Sequence, residues 1–149
     1  MRVLDQKKVK YTPHSIGDNS TMTGTQVADV LKKSPDEVFK TLVTVGKSGT
    51  NYVFVVPIGK ELNLKKAAKA VGEKSIEMLK SKELLPLTGY IHGGCSPIGM
   101  KKFFTTTVDK SAADKSTICF SAGKIGYQVE LAPSDLSRVI RFTYADIAE

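Results

Sequence analysis

The sequence is poor in the residues on which side-chain chemistry most often rests. Among 149 residues there are two histidines, His14 and His92, and two cysteines, Cys95 and Cys119. The cysteines have no CxxC spacing, which fits a reducing compartment. The soft side chains fall at unrelated spacings, so no four-ligand zinc site is expected, and no metal or cofactor is implied. His92 and Cys95 read instead as a strand histidine and a small packed thiol. No Ser-His-Asp set is evident, and with so few histidines a hydrolytic reaction is not expected to run through a histidine-activated side chain. The chain also lacks an apolar run near the ~20 residues that cross a bilayer. Its start, "MRVLDQKKVKYTP", lacks the apolar core of a secretory signal. A cytoplasmic protein is expected.

What is present is an ordinary globular composition, 41% hydrophobic and 25% charged, close to the average for folded chains. The length fits one domain over residues 1–149, with no repeat or linker, burying roughly two thirds of the unfolded surface. Lys and Arg number 22 against 15 acids, a net charge of +7. Such a field concentrates polyanions, nucleic acid first among them. Basic charge serves solubility equally well, so the function has to come from a site.

Hydrophobic periodicity supplies the elements. "TGTQVADVLKKS" reads as a short amphipathic helix, and "SPDE" (34–37) as a capped helical turn. "VFKTLVTVG" and "YVFVVPI", separated by "KSGTN", read as a β-hairpin over residues 38–58 at the middle of the core. "NLKKAAKAVG" is a helix with Asn63 as N-cap and Gly72 as stop; Leu64, Ala67, Ala68 and Val71 share one face. "SKELLP" is a second helical piece ending at Pro86, after which "TGYIHGG" returns to strand character. "KFFTTTVD", "STICFSAG" and "YQVEL" are short strands, followed by a helix "PSDLSRVI" and a last strand "RFTYADI". The order lacks steady βαβα alternation. The expected class is therefore α+β, with a mixed, mostly antiparallel, partly closed sheet and flanking helices.

Two stretches invite chemistry. "VGKSGT" ends like a phosphate-binding P-loop, but that pattern needs glycine where this chain has Thr41, and no helix follows. Lys40 is more informative. It shares strand parity with Val38 and Leu42, a cation in an apolar row, so it either snorkels to solvent or meets an anion in a pocket. The glycine-rich "GGCSPIGMKK" (93–102) could bring backbone N–H groups and the Lys101-Lys102 pair to the same anionic ligand.

Together, "VFKTLV" (38–43), "TGYIHGGCSPIGMKK" (88–102) and "SAGKIGYQVEL" (121–131) resemble the YbaK family of aminoacyl-tRNA deacylases, related to the editing domain of bacterial prolyl-tRNA synthetase. The similarity covers nearly the whole chain, and GG-x-SP-x-G-x-KK is similar to the Cys-tRNA(Pro) deacylase branch. The resemblance implies a barrel-like α+β fold and an active-site lysine at Lys40. It places substrate-binding positions at Thr41, Gly93, Gly94 and Ser121. Relatives carry S-x-G-x-R-G-x-[D/E]-[I/V]-E in the third block. Here Ile125 replaces the arginine, and Gln128 replaces an acid placed to touch the substrate amino group. Cys95 stands where relatives have an aliphatic residue and is expected to pack. His14 falls where relatives carry an aromatic residue that shapes the pocket.

The implied substrate is an amino acid esterified to the 3′ end of a tRNA, an ester that positioning and electrostatics suffice to open. For a cysteinyl ester the resemblance implies attack by the substrate's own thiolate and release of a thiolactone. Lys40 holds the terminal nucleotide, Gly93-Gly94 approach the ester carbonyl, and Lys101 and Lys102 meet the tRNA backbone. The implied partners are tRNA(Pro) and prolyl-tRNA synthetase. Deacylation of another mischarged tRNA, such as Ala-tRNA(Pro), and a non-catalytic module binding tRNA ends or nucleotides remain alternatives.

Overall fold

The computed structural model of the chain describes residues 5–6, 8–15, 24–90, 95–101, 104–123 and 126–149. At its centre is the expected hairpin: β2 (Phe39–Gly46) pairs antiparallel with β3 (Asn51–Pro57), from Phe39 opposite Pro57 to Val45 opposite Asn51. The turn is closed by the Gly49 N–H donating to the Gly46 carbonyl, with Gly49 at φ 90°. The Ser48 hydroxyl donates to Glu73 at 2.6 Å. The P-loop-like tail thus sits under a carboxylate, which repels the phosphate such a loop would hold.

The remaining elements among the described residues are β1 (Thr12–Ser15), α1 (Gly24–Leu31), α2 (Leu64–Val71), β4 (Ile76–Met78), α3 (Ser81–Thr88), β5 (Thr105–Asp109), a 3-10 helix (Lys110–Asp114), β6 (Ile118–Ser121), β7 (Tyr127–Leu131), α4 (Pro133–Leu136) and β8 (Thr143–Ala145). Helix α2 has the expected caps: the Asn63 side chain accepts from the Lys66 N–H, and Gly72 adopts the left-handed conformation. Ala67 and Ala68 are buried while Leu64 is exposed, so only part of its apolar face meets the core. Helix α3 runs two residues past Pro86. The ring deletes one N–H, and the helix recovers through Thr88, whose hydroxyl donates to the Leu84 carbonyl, and through the left-handed Gly89. Thr88 and Gly89 therefore close a helix where the sequence suggested a strand, while His92, Gly93 and Gly94 lie outside the described residues. Strands β1 and β4, four and three residues long, carry too little alternation to be legible and form through pairing alone.

The strands form two sheets, β1-β7-β6 and β4-β2-β3-β5-β8. Four of the pairings are antiparallel and two parallel, the mixed, mostly antiparallel pattern expected. The sheets meet at an isolated parallel bridge between Val38 and Cys119, where the Cys119 N–H donates to the Glu37 carbonyl at 2.9 Å. Two open sheets joined at this bridge thus stand where a partly closed, barrel-like sheet is expected. The main core, with Phe39, Val43, Val55, Phe120 and Val129, fills the space the sheets enclose. On the outer face, α1 covers Val38 and Cys119, and Ala67 and Ala68 of α2 cover Phe54 and Val56.

Asp109, at the end of β5, anchors the C-terminal segment. Its Oδ1 accepts the Ile147 and Ala148 N–H groups at 3.2 Å, and its Oδ2 accepts from the Ser111 hydroxyl at 2.6 Å. Burial raises its pKa, but these hydrogen bonds outweigh burial and leave it below the ordinary carboxylate range. A depressed carboxyl contributes stability above its unfolded pKa and loses it as pH falls. Asp109→Ala, which leaves two buried N–H groups unmet, should cost about 1–3 kcal/mol near neutrality. In urea titrations across pH, the gap to wild type should narrow below the ordinary aspartate range.

Candidate active site

The junction between the sheets aligns the site. Val38 and Cys119 are parallel partners, so strand alternation places Lys40 and Ser121, each two residues further on, next in line on the same face. Ser121 lies opposite Gln128, and Gln128 opposite His14. Four strands therefore contribute one row: Lys40, Ser121, Gln128 and His14. Thr41 faces the other way, toward the main core with Phe39 and Val43, and its buried hydroxyl has no hydrogen-bond partner among the described residues.

Each member of the row has a distinct state. The Lys40 side chain is 29% exposed, and its Nζ lies 3.6 Å from Oε2 of Glu61, which is 84% exposed. So exposed and long an ion pair is screened and contributes little, which leaves the ammonium available to a better anion. Glu61 is held in place by reciprocal backbone hydrogen bonds with Glu149. The Ser121 hydroxyl accepts the Gly123 N–H at 3.3 Å and shapes the turn after β6. Gln128 is buried, and its Oε1 lacks a partner among the described residues. An unmet buried acceptor costs about 1–3 kcal/mol, so this atom favours any ligand that brings a donor.

His14 Nε2 lies 2.9 Å from Glu130 Oε1. Glu130 also accepts from Lys33 Nζ at 2.9 Å and from the Thr117 hydroxyl at 2.6 Å, both through Oε2. Burial pushes the Glu130 pKa up, but the hydrogen bonds from Thr117, Lys33 and His14 outweigh it and hold the carboxyl down to about 2. Ligand atoms of His14, Cys119 and Glu130 lie within 4.8 Å of one another, a donor set with the chemistry for zinc. The Lys33 ammonium already supplies the positive charge there, however, and a cation would have to displace it.

The loop "GGCSPIGMKK" is an interior plug over its described part. Cys95, Ser96 and Ile98 are buried, and Cys95 and Ile98 join the main core. The Tyr90 hydroxyl donates to the Ile98 carbonyl, and Gly99 adopts φ 77° against that tyrosine. Burial raises the Cys95 thiol to about 12 and keeps it protonated. Lys101 is exposed, its N–H donating to the Thr88 carbonyl at 3.0 Å; Lys102 lies outside the described residues, as does Ile125.

Residues 18–139 match the aminoacyl-tRNA editing domain. The chain belongs to that family. It is 45% identical, over 99% of its own length and 90% of the relative's, to an Enterococcus faecalis (strain ATCC 700802 / V583) protein named "Putative Cys-tRNA(Pro)/Cys-tRNA(Cys) deacylase EbsC". In fold the editing domain is similar to the crystal structure of hypothetical protein APE2540, with a TM-score of 0.89 at 23% identity, covering 99% of this chain and 97% of that one. It is likewise similar to that of "a putative trans-editing enzyme for prolyl tRNA synthetase", with a TM-score of 0.86 at 24% identity, covering 99% and 93%.

A cleft of about 560 Å3 opens along β1 and the start of β7 of the editing domain, lined by Pro13, Ser15, Tyr127 and Val129 together with Tyr11, Ala122, His14 and Gln128. Lys40 and Ser121 are not among its walls. Pro13, Ser15, Tyr127 and Val129 alternate to the face opposite the His14 and Gln128 side chains, so the cleft lies mainly behind the row and meets it only at these two strand positions. Sequence reasoning passed over Glu130, although it is the last acid of the third family block and lies two positions beyond Gln128.

Because the Glu130 pKa is depressed to about 2, its contribution to stability is complete above the ordinary glutamate range and is lost as pH falls toward that value. Glu130→Gln should lower the urea midpoint at pH 7, and the difference from wild type should shrink progressively between about pH 4.5 and pH 2.

Proposed function

We propose that this protein is a free-standing trans-editing enzyme that removes cysteine from mischarged tRNA(Pro) in the cytoplasm, acting as a single domain. The observation that carries this reading is the row itself: a loosely paired ammonium and an unmet buried acceptor on one face. An aminoacyl-tRNA end presents the matching groups, an anionic phosphate and an α-ammonium. The name of the 45% identical relative supports the cysteinyl ester as the cargo.

In this reading Lys40 exchanges Glu61 for the terminal nucleotide and holds the ester where the substrate's thiolate can reach its carbonyl. Gln128 accepts from the α-ammonium through Oε1, and His14 and Ser121 complete the walls. Thr41 supports the site from the opposite face of β2. Gly93 and Gly94 allow close backbone approach to the carbonyl oxygen. Lys101 and Lys102 meet phosphates of the acceptor stem, which position tRNA without reading its sequence. Selection of tRNA(Pro) then falls to prolyl-tRNA synthetase as presenting partner. Neither buried thiol acts, since burial raises both Cys95 and Cys119 to about 12.

Incubation with Cys-tRNA(Pro), Ala-tRNA(Pro) and Ser-tRNA(Pro), following loss of the ester, tests the reading. Cysteine should be released fastest, and Lys40→Ala should fall to the uncatalysed rate. Release of alanine but not cysteine would remove the thiol-assisted route; tRNA binding without turnover would leave only a binding module. A second variant separates ligand recognition from folding. Gln128→Leu removes an acceptor that no described residue satisfies, so its urea midpoint should equal or exceed wild type. Its kcat/KM should drop about 10- to 100-fold, the worth of a hydrogen bond to a charged group.

A further inference from the structure

The sequence offers no histidine-activated set, yet the fold builds a histidine–carboxylate pair inside the row. We propose that His14, oriented by Glu130, is the base that takes the proton from the substrate's thiol. This inference rests on the reading of the protein as a Cys-tRNA deacylase and adds the group that generates the nucleophile.

The geometry assigns the tautomer. Glu130 accepts from Lys33 and Thr117 through Oε2, so its carboxylate is ionised and carries no proton to give. The 2.9 Å contact between Oε1 and His14 Nε2 is therefore a bond donated by the ring. In the neutral imidazole the second nitrogen, Nδ1, then carries the lone pair, as in the carboxylate–histidine pair of a catalytic triad. His14 lies on the edge strand β1, its side chain 26% exposed, directly opposite Gln128 in the row. The carboxylate that orients it is 13% exposed and pinned by two further donors, so the ring is held and does not wander. Among the described residues, the charged or titratable groups around the pair are Lys33 beyond α1, Cys119 of β6, and Glu37, which acts on both Lys33 and Cys119. Cys119 keeps its proton, since burial raises it to about 12.

The step balances without a co-reactant. Nδ1 takes the thiol proton, and the sulfur attacks the ester carbonyl, forming the carbon–sulfur bond of a thiolactone. The tetrahedral adduct expels the ribose oxygen, and the proton on Nδ1 passes to it. The products are the thiolactone and a tRNA with a free 3′-terminal hydroxyl, with the ring again neutral. Lys33 and Thr117 are positioning residues, acting only through Glu130.

Single-turnover deacylation of Cys-tRNA(Pro) tests this across pH 6–10. His14→Phe keeps the ring's bulk, and His14→Gln keeps a donor toward Glu130; both should lower kcat about 100-fold or more near neutrality, with KM little changed. The deficit should shrink as pH rises through the thiol's own ionisation, near the ordinary cysteine value of about 8.5, because the nucleophile then forms unaided. Added imidazole should restore rate to His14→Ala, and Glu130→Gln should reproduce part of the loss with the same convergence at high pH. Full wild-type rates in both His14→Phe and His14→Gln, or a deficit that stays constant with pH, would overturn the proposal. Wild-type protein that leaves Cys-tRNA(Pro) intact would instead overturn the deacylase reading beneath it.

Discussion

The candidate site depends on one backbone contact, the parallel bridge between Val38 and Cys119 that joins the two sheets among the described residues. Side chains alternate with a period of two, so fixing the register of β2 against β6 at one pair fixes which residues follow. Lys40 then falls in line with Ser121, and the ladders of β6, β7 and β1 extend that line to Gln128 and His14. A slip of one residue at the bridge would send Lys40 to the main core and bring Thr41 to the row. Helix α1 packs Val27, Ala28 and Leu31 over the junction, so apolar burial enforces the register.

Polar groups on this face fall into two kinds. Around Glu130 everything is satisfied: three donors converge on one carboxylate, and the ion pair with Lys33 tolerates partial burial because its hydrogen bonds are made. Two residues away on the same strand, Gln128 Oε1 is buried and unmet among the described residues, and Lys40 makes a long ion pair to an exposed carboxylate. A fold selected for stability alone would pair such groups or replace them with apolar ones. A satisfied cluster beside two under-satisfied groups, Gln128 and Lys40, is the distribution expected where the first holds side chains still and the others meet a ligand.

The chemistry suits a chain with few reactive side chains. An aminoacyl ester is activated already, so a scaffold that presents charge and orients groups has most of what the reaction needs. Both thiols are withdrawn into the core. The glycine-rich loop follows the same logic, spending Cys95 and Ile98 as packing residues that anchor it.

Much of this was legible beforehand. The hairpin, the Asn63 and Gly72 caps, the anomalous lysine in an apolar strand and the three family blocks all depend on residues close together in the chain. The short edge strand β1 was not legible, because "TPHS" gains strand structure only by pairing with β7, more than a hundred residues away. Nor was the end of α3, where Thr88 and Gly89 carry the helix past Pro86. Short-range signals suffice for most of the local elements, for the family resemblance and for singling out Lys40 and the strand face it shares with Val38. The fold alone brings Lys40 into line with Ser121, Gln128 and His14, and sets His14 against Glu130. Register and sheet order are long-range properties, set by burial across strands that know nothing of one another until the chain has folded.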